Sequence, residues 1–197
     1  MIKLSDEEKK SNLRKEILHK RNSLTQYQIY MKSKLIQKNL IRTTEFIESK
    51  IVGIYIPIGS EVETWNIINY ILISGRILLL PKIINNYIRY YIVEKKDIDI
   101  NLFDRNRFRI KEPKNTDRIV NFIDLLIIPG ITFDIYGYRI GYGHGYYDKY
   151  ITKRNFSKCV SLAYDFQIMK LPFPRFGYDK KIDMLITESR SHIFNTF

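Results

Sequence analysis

The sequence contains a single cysteine, Cys159, among its 197 residues. One thiol excludes an internal disulfide and a zinc site built from cysteines, and it agrees with a reducing compartment. Because Cys159 begins the mostly apolar run Cys-Val-Ser-Leu-Ala, we interpret it as a core residue rather than a nucleophile.

The sequence also lacks a long uninterrupted apolar run. Its longest apolar stretch, residues 65–81, is broken by two asparagines, a glycine and an arginine, which excludes a membrane span. The N-terminal residues contain no apolar segment of the kind that a signal peptide needs, and acids at positions 6–8 argue against a transit peptide. We therefore expect a soluble, cytoplasmic protein with no membrane partner.

Acidic residues are few relative to basic ones: 21 Asp and Glu stand against 33 Lys and Arg, which gives a formal net charge of +12. The basic residues are spread along the chain and form no long block. Three interpretations stay open, namely a nucleic acid partner, anionic small molecules such as nucleoside polyphosphates, and compositional drift without a function.

The order of apolar and polar segments predicts alternating helices and strands. We predict helices over residues 5–19, 25–49 and 65–74, strands over residues 51–58, 76–80, 88–93, 124–128, 159–163 and 182–186, and a surface segment over residues 97–113. The pattern indicates an α/β fold with a mostly parallel central sheet flanked by helices. We expect one domain over residues 1–197, with an N-terminal helical arm over about residues 5–49 and an α/β body over about residues 51–197. Ligands of such folds lie beyond the carboxyl ends of the strands.

Glycine is scarce, with 9 residues in the whole chain, yet three of them stand at alternate positions between Arg139 and Asp148. Alternate glycines let the backbone adopt left-handed conformations and let its N–H groups approach a ligand closely. Arg139 adds a fixed positive charge, and Asp148 offers oxygen ligands suited to Mg²⁺. The spacing is neither that of a Walker A loop nor that of the dinucleotide-binding fingerprint. A plain turn between a strand and a helix is the alternative.

Several short segments, spread along nearly the whole chain, together match one known pattern. They are Lys10-x-x-x-Arg14, Tyr55 to Thr64, Leu79 to Lys82, Ile110 to Pro113, Ile128 to Asp134, Arg139 to Asp148, and Leu171-Pro172 followed by Asp183. In this combination the sequence closely resembles the 5-formyltetrahydrofolate cyclo-ligase family, also called 5,10-methenyltetrahydrofolate synthetases. The most specific part is P-G-x-x-F-D followed by R-x-G-x-G-x-G-Y-Y-D.

The resemblance implies a reaction and its substrates. Members of this family use ATP and Mg²⁺ to cyclise 5-formyltetrahydrofolate to 5,10-methenyltetrahydrofolate, releasing ADP and phosphate through a phosphorylated formyl (imino-phosphate) intermediate. The folate would carry a polyglutamate tail or none, and we expect a monomer without a nucleic acid partner. The alternative is a basic nucleotide- or RNA-binding protein that has the same fold but no ligase activity.

The resemblance also implies roles for individual residues. It assigns ATP to Lys10, Arg14, Arg139, Ile140, Gly141, Tyr142, Gly143, His144, Gly145, Tyr146 and Tyr147. It assigns the folate to Ile56, Glu61, Tyr142, Gly143, His144, Gly145 and Tyr146. Among these we expect Arg139 and Tyr147 to be catalytic. It assigns Mg²⁺ to Asp148 and Asp183.

Most of these residues also have a simpler interpretation. Lys10 and Arg14, four positions apart on one helix face, are alternatively two solvated cations. Glu61 is alternatively an acid in the first turn of the following helix, and Asp183 an ordinary acid at a strand end.

Four aromatic residues leave two interpretations each. Tyr146 and Tyr147 can be core aromatics. His144 can contact phosphate or point outward, and Trp65 can stack on the pterin or anchor its helix.

Overall fold

The structure is a computed structural model, and it describes residues 4–94, 103–105, 111–113, 118, 120–153 and 155–194. The surface segment predicted over residues 97–113 lies mostly outside these ranges. Within them, no helix is both long and apolar enough to cross a membrane.

The first helix, α1 (Asp6–Asn22), begins where the sequence predicts and continues three residues further. The Ser5 side chain accepts a hydrogen bond from the Glu8 N–H at 3.2 Å, and the Glu8 carboxylate accepts one from the Ser5 N–H at 2.7 Å. This reciprocal capping box satisfies two backbone donors and fixes the start of α1.

The single helix predicted over residues 25–49 is wrong, because the structure contains two helices there, α2 (Gln26–Leu40) and α3 (Thr44–Glu48). Thr43 causes the interruption. Its hydroxyl donates to the Leu40 carbonyl at 2.8 Å and accepts from the Phe46 N–H at 3.2 Å. A threonine that caps a new helix in this way competes with the continuous helical ladder.

The remaining elements are, in chain order, β1 (Ile51–Ile54), α4 (Trp65–Ile73), β2 (Ile77–Ile84), β3 (Tyr87–Val93), β4 (Phe103–Arg105), β5 (Lys111–Pro113), β6 (Ile123–Ile128), β7 (Thr132–Asp134), β8 (Arg139–Ile140), α5 (Tyr146–Ile151), β9 (Phe156–Leu162), β10 (Ile168–Met169), β11 (Met184–Ile186) and β12 (Ser191–Ile193). The other predicted helix and strands are present, but between α4 and α5 the described residues contain seven strands and no helix.

Seven strands form the central sheet in the order β12-β11-β9-β6-β1-β2-β3. The five inner strands pair in parallel, whereas β3 and β12 pair antiparallel at the two edges. Three short strands, β10-β7-β8, form a second sheet. The predicted fold class, a mostly parallel sheet flanked by helices, is confirmed.

Two strands end well away from the predicted position, and β9 and β11 begin three residues earlier and two residues later than predicted. The strand predicted over residues 51–58 ends at Ile54, and the strand predicted to stop before Pro81 continues to Ile84. The ladder between β1 and β2 stops at Leu79, so the missing N–H of Pro81 lies beyond that ladder. Beyond it, β2 pairs only with β3, through a tight turn in which Asn85 and Asn86 have φ angles of 49° and 64°.

The core lies on both faces of the sheet. Along β6, Leu125 and Ile127 join one cluster together with side chains of α2 and α4, whereas Leu126 and Ile128 join a second cluster that includes Ile151 of α5. This alternation follows from the two-residue period of a strand. Because β1 and β6 pair in parallel, their carboxyl ends lie side by side. The loops that follow these two strands contact Arg21 of α1.

Candidate active site

A cavity of about 500 Å³ opens at the carboxyl edge of the sheet. Residues directly after β1 and β6 form its floor, α1 forms one wall, and residues 139–148 form another. This is the position at which parallel α/β sheets bind ligands. Its volume lies in the range of small-molecule sites.

Three of the residues predicted to bind ATP are cations that line the cavity. Lys10 and Arg14 reach it from α1, and Arg139 reaches it from β8. Arg14 Nε donates to the Gly141 carbonyl at 2.8 Å, which attaches the glycine-rich loop to the helix. The N-terminal arm therefore contributes to the cavity wall.

Arg139 is the most deeply buried of these cations, with 4 % of its surface exposed. Its Nη2 lies 3.2 Å from an oxygen of Asp148, but neither Nε nor Nη2 has a hydrogen-bond partner within the described part of the chain. Buried guanidinium groups are normally hydrogen-bonded. On the cavity wall, the guanidinium beside Asp148 supplies a fixed positive charge that suits an anion.

The glycine-rich loop needs its glycines for backbone reasons. Gly143 has a φ angle of 103° and Gly145 one of 65°, conformations that other residues rarely adopt. Gly145 is also the N-cap of α5. The loop and the first turn of α5 line the cavity together.

Glu61, which is buried, also lines the cavity. Its Oε2 accepts the Ile58 N–H at 2.9 Å. The loop that carries it is closed by two further bonds, from the Tyr55 hydroxyl to the Val62 carbonyl and from the Thr64 hydroxyl to the Tyr55 carbonyl, each 2.9 Å long. Ile56, also predicted as a contact residue, lies on the same wall.

Burial governs the protonation of these groups. It raises the pKa of the Glu61 carboxyl, and the nearby positive charge of Arg21 opposes that shift. Burial raises the pKa of Tyr142 to about 12, and the negative charge of Glu61 adds to the shift. Burial also raises the pKa of Tyr147, whose ring centroid lies 5.6 Å from the Arg139 guanidinium carbon. Both phenols are therefore neutral donors at physiological pH.

Two more predicted residues line the cavity beside them. His144 and Tyr146 stack with ring centroids 5.3 Å apart. Trp65 packs against the core cluster around α4 and is not among the described residues that line the cavity. This placement agrees with its interpretation as the anchor of its helix.

The carboxylates do not all lie where the sequence indicates. Asp148 lines the cavity. Asp183 is half-buried between β9 and β11, where its Oδ2 accepts the Cys159 N–H at 2.7 Å, and it is not among the described residues that line the cavity. Asp179, which the sequence did not single out, lines the cavity and pairs with Lys10.

Other cavity residues were also missed. The hairpin of β2 and β3 supplies an apolar wall of Pro81, Ile83 and Ile88, and Phe176 and Tyr178 stack at 5.3 Å beside Asp179. None of them carries a local signal, because only the tertiary fold brings them to the loop around Gly143.

Residues 6–188 match the model of the 5-formyltetrahydrofolate cyclo-ligase family. The chain belongs to the 5-formyltetrahydrofolate cyclo-ligase family. The expectation that it is an enzyme of this ligase family is thereby confirmed.

Relatives of this cyclo-ligase family match over nearly the whole chain. A probable 5-formyltetrahydrofolate cyclo-ligase of Caenorhabditis elegans is 26% identical and covers 96% of this chain and 97% of its own. The solved structure of the 5,10-methenyltetrahydrofolate synthetase of Aquifex aeolicus is 35% identical, with a TM-score of 0.81, and covers 95% of this chain and 94% of its own. That of Mycoplasma pneumoniae is 26% identical, with a TM-score of 0.67, and covers 91% and 98%.

Proposed function

We propose that this chain catalyses the ATP- and Mg²⁺-dependent cyclisation of 5-formyltetrahydrofolate to 5,10-methenyltetrahydrofolate, with release of ADP and phosphate. The observation that carries the proposal is a cavity lined by both the buried Arg139 guanidinium and the buried Glu61 carboxylate. A cation for phosphate and an acceptor for pterin N–H groups suit the two substrates that the family name and the relatives' names indicate.

The cations that line the cavity suit the phosphates of ATP. The cavity wall carries three positive charges, from Lys10, Arg14 and Arg139. The loop backbone can come close to phosphate oxygens because it contains Gly143 and Gly145. Arg139 lies where it can neutralise the charge that develops on the transferred phosphoryl group. Tyr147, neutral and next to Arg139, adds a hydrogen-bond donor.

The buried carboxylate and the apolar side chains of the cavity suit the folate. Glu61 offers carboxylate oxygens to the N–H groups of a pterin ring, and Ile56, Ile83 and Ile88 offer apolar contact to its faces. Tyr142 also lines the cavity, and its hydroxyl contacts Glu61. The resemblance to the family assigns Ile56 and Glu61 to the folate, and it assigns residues 142–146 to both substrates.

The residues present also fit a Mg²⁺ ion carried by the nucleotide. Mg²⁺ in such sites needs only one or two protein carboxylates, because phosphate oxygens and water supply the other ligands. Asp148 and Asp179 are the two aspartates among the described cavity residues, and we propose them as the ligands. Bound Mg²⁺ would neutralise charge on the phosphates. The role predicted for Asp183 stays a prediction, because Asp183 is not among the described residues that line the cavity.

The proposed reaction has two steps. The formyl oxygen first attacks the γ-phosphorus, the bond to ADP breaks, and an imino-phosphate forms. N10 of the folate then attacks the activated formyl carbon, its proton is lost, and phosphate leaves as the five-membered ring closes. The cavity contributes chiefly by holding the two substrates in line and by neutralising charge.

The test is the absorbance of the methenyl-folate band when purified protein meets 5-formyltetrahydrofolate, Mg²⁺ and ATP. We expect a rise that requires both ATP and metal. Arg139→Ala should lower kcat about 10²- to 10³-fold. The control is Arg42→Ala, which removes an exposed arginine that is not among the described cavity residues and should change kcat less than about twofold. No rise with the wild-type chain, although ATP still binds, would favour the nucleotide-binding alternative.

A further inference from the structure

Arg21, near the end of α1, is almost completely buried, with 2 % of its surface exposed. Its Nε donates to the Ser60 hydroxyl at 3.1 Å, its Nη2 to the Tyr142 hydroxyl at 2.6 Å, and its Nη1 to the Gly130 carbonyl at 3.5 Å. A buried arginine with this set of partners is held in one orientation.

The contact with Tyr142 continues to Glu61. The Tyr142 hydroxyl accepts from Arg21 and donates its own hydrogen to Glu61 Oε1 at 3.0 Å. A phenol has one hydrogen, so the two contacts fix the direction of both bonds. Three separate segments, namely α1, the glycine-rich loop and the loop after β1, are thus joined by one chain of hydrogen bonds.

Arg21 differs in position from the three cations that we assign to phosphate. Lys10, Arg14 and Arg139 line the cavity, whereas Arg21 is not among the described residues that do so. Its guanidinium lies behind Tyr142, with the arginine carbon 5.8 Å from the centre of the tyrosine ring. A cation in this position acts on a ligand only through the residues in front of it.

We propose that Arg21 is a positioning residue for the folate, because it fixes the place of the Glu61 carboxylate through Tyr142 and supplies its counter-charge. The inference rests on the proposed function, which assigns Glu61 to the folate. It goes beyond that function in naming the residue on which the folate contact depends.

The proposal has a consequence for pH dependence. The charged and titratable groups that face Glu61 are Arg21 from α1, Tyr55 from the end of β1, Tyr142 from the glycine-rich loop and Tyr147 from α5. Only Arg21 is positively charged. Without it, burial is opposed only by hydrogen bonds, so the pKa of Glu61 rises further and its ionised fraction at neutral pH falls.

The experiment measures the Kd of 5-formyltetrahydrofolate by calorimetry without ATP at pH 6, 7 and 8, together with KM for both substrates. We expect Arg21→Met to weaken folate binding about tenfold to hundredfold, the loss of hydrogen bonds from a charged donor, and to change KM for ATP less than about threefold. Its folate affinity should increase with pH, because ionised Glu61 returns. Arg21→Lys, which keeps the charge, should show the weaker dependence on pH. Lys20→Met removes the neighbouring exposed cation and serves as the matched control.

Other results would overturn the inference. Equal changes in the constants for ATP and folate, or a folate affinity of Arg21→Met that follows the wild-type pH profile, would make Arg21 a structural residue only. If Arg21→Met does not fold, Arg21→Gln provides the same pH comparison, since it removes the charge but keeps a hydrogen-bond donor. Wild-type protein that binds folate but forms no product would refute the proposed function while the Kd series still tests Arg21. Wild-type protein that binds no folate would refute both.

Discussion

Lys10 and Asp179 form a buried ion pair at the cavity wall, although 169 positions separate them in the sequence. The Lys10 ammonium also lies 4.4 Å from the centre of the Phe176 ring. Lys10 therefore has a counter-ion before any phosphate enters the cavity. An anionic substrate must share this lysine with Asp179, and the pair attaches the segment around Phe176 to α1.

The first prediction separates the two candidates for the second Mg²⁺ ligand. Asp179→Asn should raise the Mg²⁺ concentration needed for half-maximal activity at least about tenfold, because a metal-bound carboxylate is lost. Asp183→Asn should change that concentration less than about twofold and instead lower the free energy of unfolding by about 1.5–3 kcal/mol, through its weakened bond to the Cys159 N–H. Magnesium titrations and urea denaturation of both variants check this. The reverse assignment would restore the role predicted for Asp183.

The second prediction concerns the backbone of the glycine-rich loop. Gly143→Ala places a side chain at a φ angle of 103° and should cost about 1–3 kcal/mol of local strain. The loop should then shift, and KM for ATP should rise about tenfold or more. Gly177→Ala is the matched control, because its added carbon would have open space around it. Similar values of KM for both variants would contradict the requirement for the left-handed conformation.

The third prediction follows from the raised pKa of Glu61. An acid whose pKa is raised in the folded state binds protons more tightly there than in the unfolded chain, so its contribution to stability falls as pH rises from its ordinary value of 4.5 through the folded pKa. The stability of wild type relative to Glu61→Gln should therefore decrease as pH rises above 4.5, by about 1.4 kcal/mol for each pH unit that separates 4.5 from the pKa of the folded state. Urea denaturation from about pH 4 to about pH 8 measures it. A relative stability that increased with pH would show that the folded pKa is lowered instead.

The fourth prediction is that Cys159 does not react in the folded protein. Its thiol is buried, and burial raises its pKa, so little thiolate is available to a reagent. A disulfide reagent at pH 8 should label native protein at least about a hundredfold more slowly than protein in guanidinium chloride. The control is Ser157→Cys in a Cys159→Ala background, which places a thiol at an exposed position of the same strand. Rapid labelling of native wild type would contradict the interpretation of Cys159 as a core residue.

Local patterns allowed much of the fold and the glycine-rich loop to be predicted. The capping residues of α1, the apolar runs of the inner strands and the glycine-rich loop each lie within a short segment, where neighbouring residues largely decide the structure. Errors arose where a side chain chose between two local structures. Thr43 caps a new helix instead of continuing the old one, and Pro81 lies within a strand because the ladder to β1 has already ended.

The rest of the site depends on contacts between distant parts of the chain. Arg21 meets Tyr142 across 121 positions and Lys10 meets Asp179 across 169. No periodicity or spacing connects such pairs, because the topology of the sheet alone brings them together. The choice between Asp179 and Asp183, only four positions apart, likewise depends on which loop reaches the cavity.

Among the buried side chains of α1, only Ile17 is apolar, and the other two are Lys10 and Arg21. The helix is therefore held to the body largely by charged groups. An anion bound between Arg14 and Arg139 would hold α1 more firmly to the body. Because such an anion binds only the folded state, it would also stabilise that state. When that anion leaves, α1 loses a contact through Arg14, so we expect α1 to be held less firmly to the body in the empty protein.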